Sequence, residues 1–145
     1  MAHKPQCTIL AAEFTKSVVD VMVEEASQEV AAGEAMLGRV VRVSGCYELP
    51  LIVDMLLARS DINCLVVLGY IERGETLHGE IMGHVVHKAI LELQLKYRKP
   101  IGIGIIGPGA TLDQAQKRKA DYARSAVRAA LQSWKVMQEE CSALT

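Results

Sequence analysis

Four short apolar runs alternate with segments whose apolar residues recur at helical spacing, and no other feature of the sequence constrains the fold as strongly. The runs cover residues 7–12, 40–43, 64–68 and 101–106, and each has the length of a buried strand. A helical pattern follows each run. This strand-then-helix order predicts a mostly parallel sheet with right-handed crossovers and with helices on both faces. We therefore predict an α/β fold, a three-layer αβα sandwich around a central four-stranded parallel sheet.

The first two helices carry recognisable end signals. Thr15 or Ser17 is suited to cap the first helix, and Gly33 is suited to end it in the left-handed conformation. Pro50 lacks an N–H group and fits the first turn of the second helix. The large apolar residues of the second helix are expected to form its buried side: Leu51, Ile52, Met55, Leu56 and Leu57.

The third helix is predicted over residues 81–96 and has two partly apolar faces. One face is expected to pack on the sheet: Met82, Val85, Val86, Ala89, Ile90 and Leu93. The second stripe includes Leu91 and Leu95, which suggests that another chain covers it. Gly102 and Gly104 in the fourth strand likewise indicate close approach by a neighbour.

After the fourth strand, the chain is expected to turn at residues 107–109, a Gly-Pro-Gly sequence. Thr111 is then suited to cap a short helical segment that contains Arg118. A separate last helix is predicted from Ala123 onward, because apolar residues recur there at helical spacing.

Length and charge narrow the function classes. The 145 residues are enough to build a full core for one domain but are too few for two domains. We therefore predict one domain over residues 1–145. A formal net charge of −1, with both signs interspersed, gives no indication of a nucleic-acid or membrane-surface partner. The sequence has no long apolar run and no signal-peptide pattern, so the expected location is cytoplasmic. Four widely spaced cysteines predict free thiols: Cys7, Cys46, Cys64 and Cys141.

Residues 69–78, after the third strand, are the strongest candidate for a functional segment. Open α/β sheets bind ligands beyond the carboxyl ends of their strands, where this segment lies. It contains two glycines, a threonine, two glutamates, an arginine and a histidine. Backbone N–H groups at the start of the following helix can hold an anion. His78 lies close to that helix end and can exchange protons near neutral pH.

Four segments, one after each strand, together resemble the lumazine synthase (6,7-dimethyl-8-ribityllumazine synthase) family. They are Phe14, the Gly-Cys-Tyr-Glu-Leu-Pro of residues 45–50, the Arg-Gly-Glu-Thr-Leu-His of residues 73–78, and residues 111–118 with their Thr-x-x-Gln-Ala-x-x-Arg pattern. The resemblance covers nearly the whole chain, and the short final region is similar to the archaeal branch.

The resemblance implies a flavodoxin-like fold and a transferase of riboflavin biosynthesis. The family condenses 5-amino-6-(D-ribitylamino)uracil with 3,4-dihydroxy-2-butanone 4-phosphate, releases phosphate and water, and uses no metal or redox cofactor. It also implies a homopentamer and names riboflavin synthase as a candidate partner. Whether the complete assembly is a single pentamer, a decamer or an icosahedral shell of twelve pentamers stays open.

The resemblance also implies a role for each site residue. His78 would move protons, and the phosphate would be held by Gly74, Glu75, Thr76 and an arginine, Arg118, from a neighbouring subunit. The aminouracil and its ribityl chain would contact the remaining members of the set: Phe14, Gly45, Cys46, Tyr47, Glu48, Ile71, Glu72, Ile103 and Arg124. Three of these depart from the family pattern. Ile103 stands where an aromatic residue is usual, Glu72 where an apolar residue is usual, and Arg124 near the position of a lysine.

The residue types fit this chemistry independently of the resemblance. A ketone phosphate needs an anion site, which a helix start, a threonine and an arginine provide. Condensation requires protons to move, which suits histidine, and a flat uracil suits an aromatic partner. His84 and His87, one turn apart, indicate a helix surface rather than a metal site because no third ligand is evident. Cys46 has no histidine beside it in the sequence, so we do not predict a nucleophile there.

Two other functions are compatible with the same fold. An archaeal-type riboflavin synthase would join two lumazine molecules and would not need a ketone-phosphate site. A non-catalytic flavin- or nucleotide-binding shell protein would need neither His78 nor Arg118. Because both residues and the Gly-Glu-Thr turn are present, the sequence favours the lumazine synthase reaction.

Overall fold

Four parallel strands alternate with four α-helices in the computed structural model, which describes residues 3–144. The elements are β1 (Gln6–Ala12), α1 (Lys16–Ala32), β2 (Met36–Val43), α2 (Leu49–Leu57), β3 (Cys64–Glu72), α3 (His78–Tyr97), β4 (Ile101–Ala110) and α4 (Leu112–Ala143). The strand order is β2-β1-β3-β4, and every neighbouring pair is parallel. The α/β prediction is thus confirmed. The predicted domain, residues 1–145, includes residues 1, 2 and 145, which lie outside the described range.

The sheet separates two apolar cores, and each is covered by two helices. Side chains of β1 alternate between them, with Ile9 and Ala11 toward α1 and α4, and Leu10 and Ala12 toward α2. The central strand β3 is buried along its length except at its last residue, Glu72. This arrangement confirms the three predicted layers. Within the described residues, no helix combines the length and apolar character needed to cross a membrane.

The glycines of β4 allow the chain's own last helix to approach the sheet. A Cβ atom built on Gly102 would lie 1.8 Å from the carbonyl oxygen of Ala126 in α4, and one built on Gly104 would lie 3.0 Å from the Ala126 Cβ. The neighbour that the sequence indicated is therefore α4 rather than another chain. Glycine at these positions brings helix and strand backbones into contact, which no residue with a side chain would permit.

The ends of α1 differ from the prediction. Gly33 has a φ of −90°, and the left-handed residue is the next one, Glu34, with a φ of 59°. Gly33 is nevertheless constrained, because a Cβ atom there would lie 2.6 Å from Leu131 Cδ1. At the other end, Thr15 is the N-cap residue, but its φ is 65° and its side chain makes no capping hydrogen bond.

The end of β4 and the last helix also correct the sequence prediction. Residues 107–109 do not turn the chain away, because β4 continues to Ala110, which pairs with Glu72 after a register shift. Thr111 then caps α4 through a capping box with Gln114. The predicted short segment and the last helix are one continuous helix of 32 residues, since the sequence between them contains no glycine or proline to end it.

Helices α2 and α3 leave large apolar side chains in solvent. Leu51 and Met55 of α2, predicted to be buried, are 67% and 59% exposed, whereas Leu49 and Val53 are buried. The sheet covers only one side of this short helix, so the opposite side remains uncovered. In α3, Val85 is exposed although it was assigned to the sheet-facing side, and Leu95 is 74% exposed. This uncovered surface lies on the outer sides of α2 and α3.

Candidate active site

A cavity of about 320 Å³ lies at the carboxyl ends of β1, β2 and β3. Its lining combines predicted site residues with three others: Phe14, Gly45, Cys46, Tyr70, Ile71, Glu72, Gly74, Thr76, His78, Gly79 and Met82. Its volume is in the range of small-molecule sites. A larger cavity, about 1210 Å³, lies near Pro5, where the strands begin. The smaller cavity is the candidate site, because parallel sheets bind ligands at the opposite, carboxyl ends.

Backbone hydrogen bonds place Phe14 beside the segment that follows β2. We call the segments that follow β2 and β3 the β2 exit and the β3 exit. The N–H of Glu13 donates to Val43 O at 2.8 Å, and the N–H of Phe14 donates to Ser44 O at 3.0 Å. These bonds extend the β1–β2 pairing past the ends of both strands. The Phe14 side chain is 58% exposed, so this aromatic ring contributes to the cavity wall rather than to the core.

The β2 exit is a 3-10 turn over Cys46–Glu48, and its first residue is buried against β3. Cys46 is 3% exposed, and its Sγ lies 3.0 Å from the position of a Cβ built on Gly69. Burial and the nearby Glu48 carboxylate raise the pKa of the Cys46 thiol to about 11. The thiol is therefore protonated at neutral pH, the form in which cysteine is a poor nucleophile.

The β3 exit is tied to the end of β4 through one carbonyl group. Ala110 O accepts hydrogen bonds from the Tyr70 hydroxyl at 2.9 Å and from the Arg73 N–H at 3.0 Å. Burial, with a smaller contribution from Glu72, raises the pKa of Tyr70, so the hydroxyl stays protonated and can donate. These bonds fix the start of the segment that leads through Gly74 to α3.

His78 is the first residue of α3, three residues earlier than the predicted helix start. Its backbone N–H donates to Thr76 Oγ1 at 3.3 Å. The first turn of α3 packs against β3, since a Cβ built on Gly79 would lie 2.9 Å from Glu72 O. Helix N–H groups and a threonine hydroxyl can bind an anion here, beside an imidazole that can carry a proton.

The two turns meet at an aromatic contact. The rings of Tyr47 and His78 have centroids 5.9 Å apart and an interplanar angle of 67°, an edge-type arrangement. Tyr47, Glu48 and Glu75 do not line the cavity themselves but belong to the two turns that form its walls.

Three predicted site residues lie elsewhere in this chain. Ile103 lies on the edge strand β4, where it pairs with Val67 and packs against the core that α2 and α3 cover. Arg124 donates to Asp121 and Glu25, and these carboxylates raise its pKa. Arg118 is exposed on α4, on the opposite face of the sheet from α3. The structure therefore does not bring Ile103, Arg118 or Arg124 to the cavity of the same chain.

Other reactive side chains give no second site within residues 3–144. His87 Nδ1 lies 2.7 Å from Gly83 O, and His84 lies 3.9 Å from Glu80, so each faces its own helix. No group of three or more histidine, cysteine, aspartate or glutamate side chains is arranged to hold a metal ion in this range. Cys7 and Cys64 are both buried in register on β1 and β3, and their proximity raises the pKa of Cys7.

Three lining residues were not individually predicted as site residues: Gly79, Met82 and Tyr70, the last of which lies within the predicted segment 69–78. Met82 could have been found from its spacing, because it lies one helical turn after His78 and shares its face. Tyr70 carried no such signal, since an aromatic residue near the end of a buried strand is usually part of the core.

Known proteins with similar sequences match this chain across the residues that line the cavity. The sequence model of the 6,7-dimethyl-8-ribityllumazine synthase family matches residues 4–138, a range that includes the whole cavity. The protein of that name from Metallosphaera sedula is 39% identical over 85% of this chain and 82% of its own length. The one from Staphylothermus marinus is 38% identical over 83% of this chain and 81% of its own length. The one from Aeropyrum pernix is 37% identical over 88% of both chains. The resemblance to archaeal members is thereby confirmed.

Proposed function

The chain belongs to the 6,7-dimethyl-8-ribityllumazine synthase family, and we propose which of its residues carry out each part of the reaction. The reaction is a transferase step of riboflavin biosynthesis. It joins 5-amino-6-(D-ribitylamino)uracil to 3,4-dihydroxy-2-butanone 4-phosphate and releases phosphate and water. The observation that supports a catalytic chain is the cavity itself, a space of about 320 Å³ that Phe14, Thr76 and His78 line together.

We propose that the phosphate of the ketone substrate binds at Gly74, Glu75 and Thr76. This segment leads into α3, so the unpaired N–H groups of the helix start are available to a dianion. A Cβ built on Gly74 would have no atom within 4 Å, so space remains around the backbone for phosphate oxygens. The Glu75 carboxylate would be repelled by phosphate, so its contribution is assigned to its backbone.

His78 is the proposed proton carrier. Attack of the 5-amino group on the ketone carbon forms a C–N bond, and a proton must reach the oxygen that leaves as water. Loss of phosphate and closure of the second ring again require protons to be removed and delivered. An imidazole next to the phosphate segment can take part in these transfers because it lies at the same end of the cavity.

The aminouracil is proposed to bind between Phe14 and the β3 exit. The flat ring would stack on Phe14, with Ile71 and Glu72 on the other wall. The ribityl hydroxyls would bind the backbone of Gly45 to Tyr47 and the Glu48 carboxylate. The assignments of Ile103 and Arg124 to this substrate remain predictions from the sequence.

Arg118 is proposed to reach the phosphate from a second copy of the chain. It is exposed, and it forms no hydrogen bond or ion pair with any of residues 3–144. We propose a homopentamer that repeats one interface around its axis, with a shell of twelve such rings as the larger assembly. A cytoplasmic location and an association with riboflavin synthase belong to the same proposal.

One experiment tests the reaction and the phosphate site together. The purified protein is mixed with both substrates while lumazine absorbance and phosphate release are followed. Orthophosphate should inhibit competitively against the ketone phosphate and not against the aminouracil, because it occupies the proposed site at residues 74–76. Riboflavin formed from lumazine alone would favour the riboflavin synthase alternative. Flavin binding without either reaction would favour the non-catalytic shell protein.

A further inference from the structure

The contact between Tyr47 and His78 links two separate turns of the site. Tyr47 lies in the 3-10 turn after β2, and His78 is the first residue of α3. Their ring centroids are 5.9 Å apart at an interplanar angle of 67°. Aromatic rings at this separation and angle attract each other beyond the effect of simple burial.

The backbone beneath Tyr47 is firmly placed. Cys46, its neighbour, is buried, and its Sγ packs against Gly69 on β3. The N–H of Glu48 donates to Gly45 O at 3.2 Å and closes the turn. With the residues on either side held in this way, the Tyr47 ring projects from a fixed base toward α3.

The imidazole of His78, in contrast, has few other contacts to orient it. The hydrogen bond from His78 to Thr76 uses the backbone N–H and leaves the ring unconstrained. Among residues 3–144, no side chain or carbonyl group forms a hydrogen bond with the imidazole. His87, on the same helix, differs in this respect because its ring is held by Gly83 O.

We propose that Tyr47 is a positioning residue: its ring holds the His78 imidazole in the orientation that serves proton transfer. This inference rests on the proposed role of His78. The tyrosine hydroxyl is not required, because the contact is made by the ring. An aromatic pair of this kind favours one ring orientation by a factor of about 2–12, which sets the size of the expected effect.

Steady-state kinetics of five variants separates this role from a direct contact with substrate. Tyr47→Leu should lower kcat by about 2–12-fold and leave the KM of both substrates nearly unchanged. Tyr47→Phe, which keeps the ring, should recover most of the lost kcat. In a His78→Ala background, Tyr47→Leu should have no further effect, because a residue that acts through His78 loses its influence when the imidazole is absent. Tyr122→Leu, an exposed tyrosine on α4, is the matched control.

An equal loss of kcat from Tyr47→Leu with and without His78 would overturn the proposal. A higher KM for the aminouracil at unchanged kcat would also overturn it, since the ring would then contact the substrate instead. Full activity of Tyr47→Leu would show that the contact has no role in turnover.

Nuclear magnetic resonance of the histidine rings tests the contact without any turnover. The ring resonances of His78, assigned by their loss in His78→Ala, should shift in Tyr47→Leu and stay near their original positions in Tyr47→Phe. Those of His84 and His87 should not move in either variant. An unchanged His78 spectrum in Tyr47→Leu would overturn the inference. A wild-type protein without synthase activity would overturn the proposed function, while the spectra would still decide whether Tyr47 orients His78.

Discussion

The two faces of the sheet are built in different ways. On the face covered by α1 and α4, helix and strand backbones touch, as the contact of Gly102 with Ala126 shows. Ion pairs of Arg124 with Glu25 and of Arg128 with Glu29 join the two helices above that contact. The large apolar side chains that these two helices expose are Leu112, Tyr122 and Val136, each 38–43% exposed.

The face covered by α2 and α3 is less complete. Its helices bury one side each and expose Leu51, Met55, Ile81 and Leu95 on the other. The candidate site opens at this face, where α3 begins and the β2 and β3 exits meet. The difference suggests a division of roles, in which the first face supplies stability and the second leaves side chains available for ligands and for other copies of the chain.

Gly102→Ala breaks the first face at its closest contact and should have the largest effect on stability. The added methyl group would overlap the backbone of α4, and overpacking of a core typically costs about 1–3 kcal/mol. Because a backbone atom cannot rotate away as a side chain can, we expect a loss above about 3 kcal/mol in denaturant unfolding. Gly74→Ala, at a glycine with open space around it, is the control, and its free energy of unfolding should not change. Equal stability of both variants would contradict the close contact.

His78→Ala should do the reverse and affect catalysis without affecting stability. We expect kcat to fall by about 10²-fold, the low end for a positioned proton carrier, because an amine and a reactive ketone can condense without help. The thermal midpoint should stay the same, since His78 is exposed. His84→Ala makes the same change six residues further along the same helix and should leave kcat unaltered. An unaltered kcat in His78→Ala would remove the catalytic assignment.

Arg118→Ala tests whether the second face is completed by another copy. Loss of a hydrogen bond to a charged group costs about 1.5–3 kcal/mol, so the KM of the ketone phosphate should rise by about 10–150-fold. Lys117→Ala, at the neighbouring position, is the control. When His78→Ala and Arg118→Ala chains are unfolded and refolded together, roughly a quarter of the interfaces should regain both residues. Mixed rings with only the average activity of the two variants would place both residues in one chain.

Arg124→Met should have the smallest effect of the four substitutions. It tests whether Arg124 serves the stability of the face covered by α1 and α4 rather than substrate binding. Removing the partly exposed ion pair to Glu25 should lower Tm by less than about 3 °C, and less at high salt. Glu25→Gln should produce a similar change, and the double variant should not add a second one. An unchanged KM for the aminouracil would contradict the role that the sequence suggested for Arg124.

The sequence was most informative where chemistry and local pattern coincide. Residues 69–78 span the last residues of β3, the loop after it and the first residue of α3, so their place at the carboxyl edge could be predicted from the chain order alone. Phe14 and Gly45 were assigned to the same site by the family resemblance, and each follows a strand that ends at this edge. The cavity lining confirms that these three segments meet.

Features that depend on what lies across the fold could not be predicted in this way. The glycines of β4 indicated a close approach but not its source, which is α4. Leu51 and Val85 have the apolar character of core residues, and only the width of the sheet shows that nothing in this chain covers them. The resemblance placed Arg124 near the position of a family lysine, yet in this chain its guanidinium binds carboxylates of α1 and α4.

The unbroken last helix is longer than the sheet that it covers. With 32 residues, α4 is about 48 Å long, whereas the ten residues of β4 span about 33 Å, so one end of the helix projects past the sheet. Every buried residue of α4 lies between Ala115 and Ala130, so the projecting part is the carboxyl end, about 20 Å of helix over residues 131–143. Residues 138–143 are all exposed, and a change of length there would add or remove helical surface without disturbing the packing of the sheet.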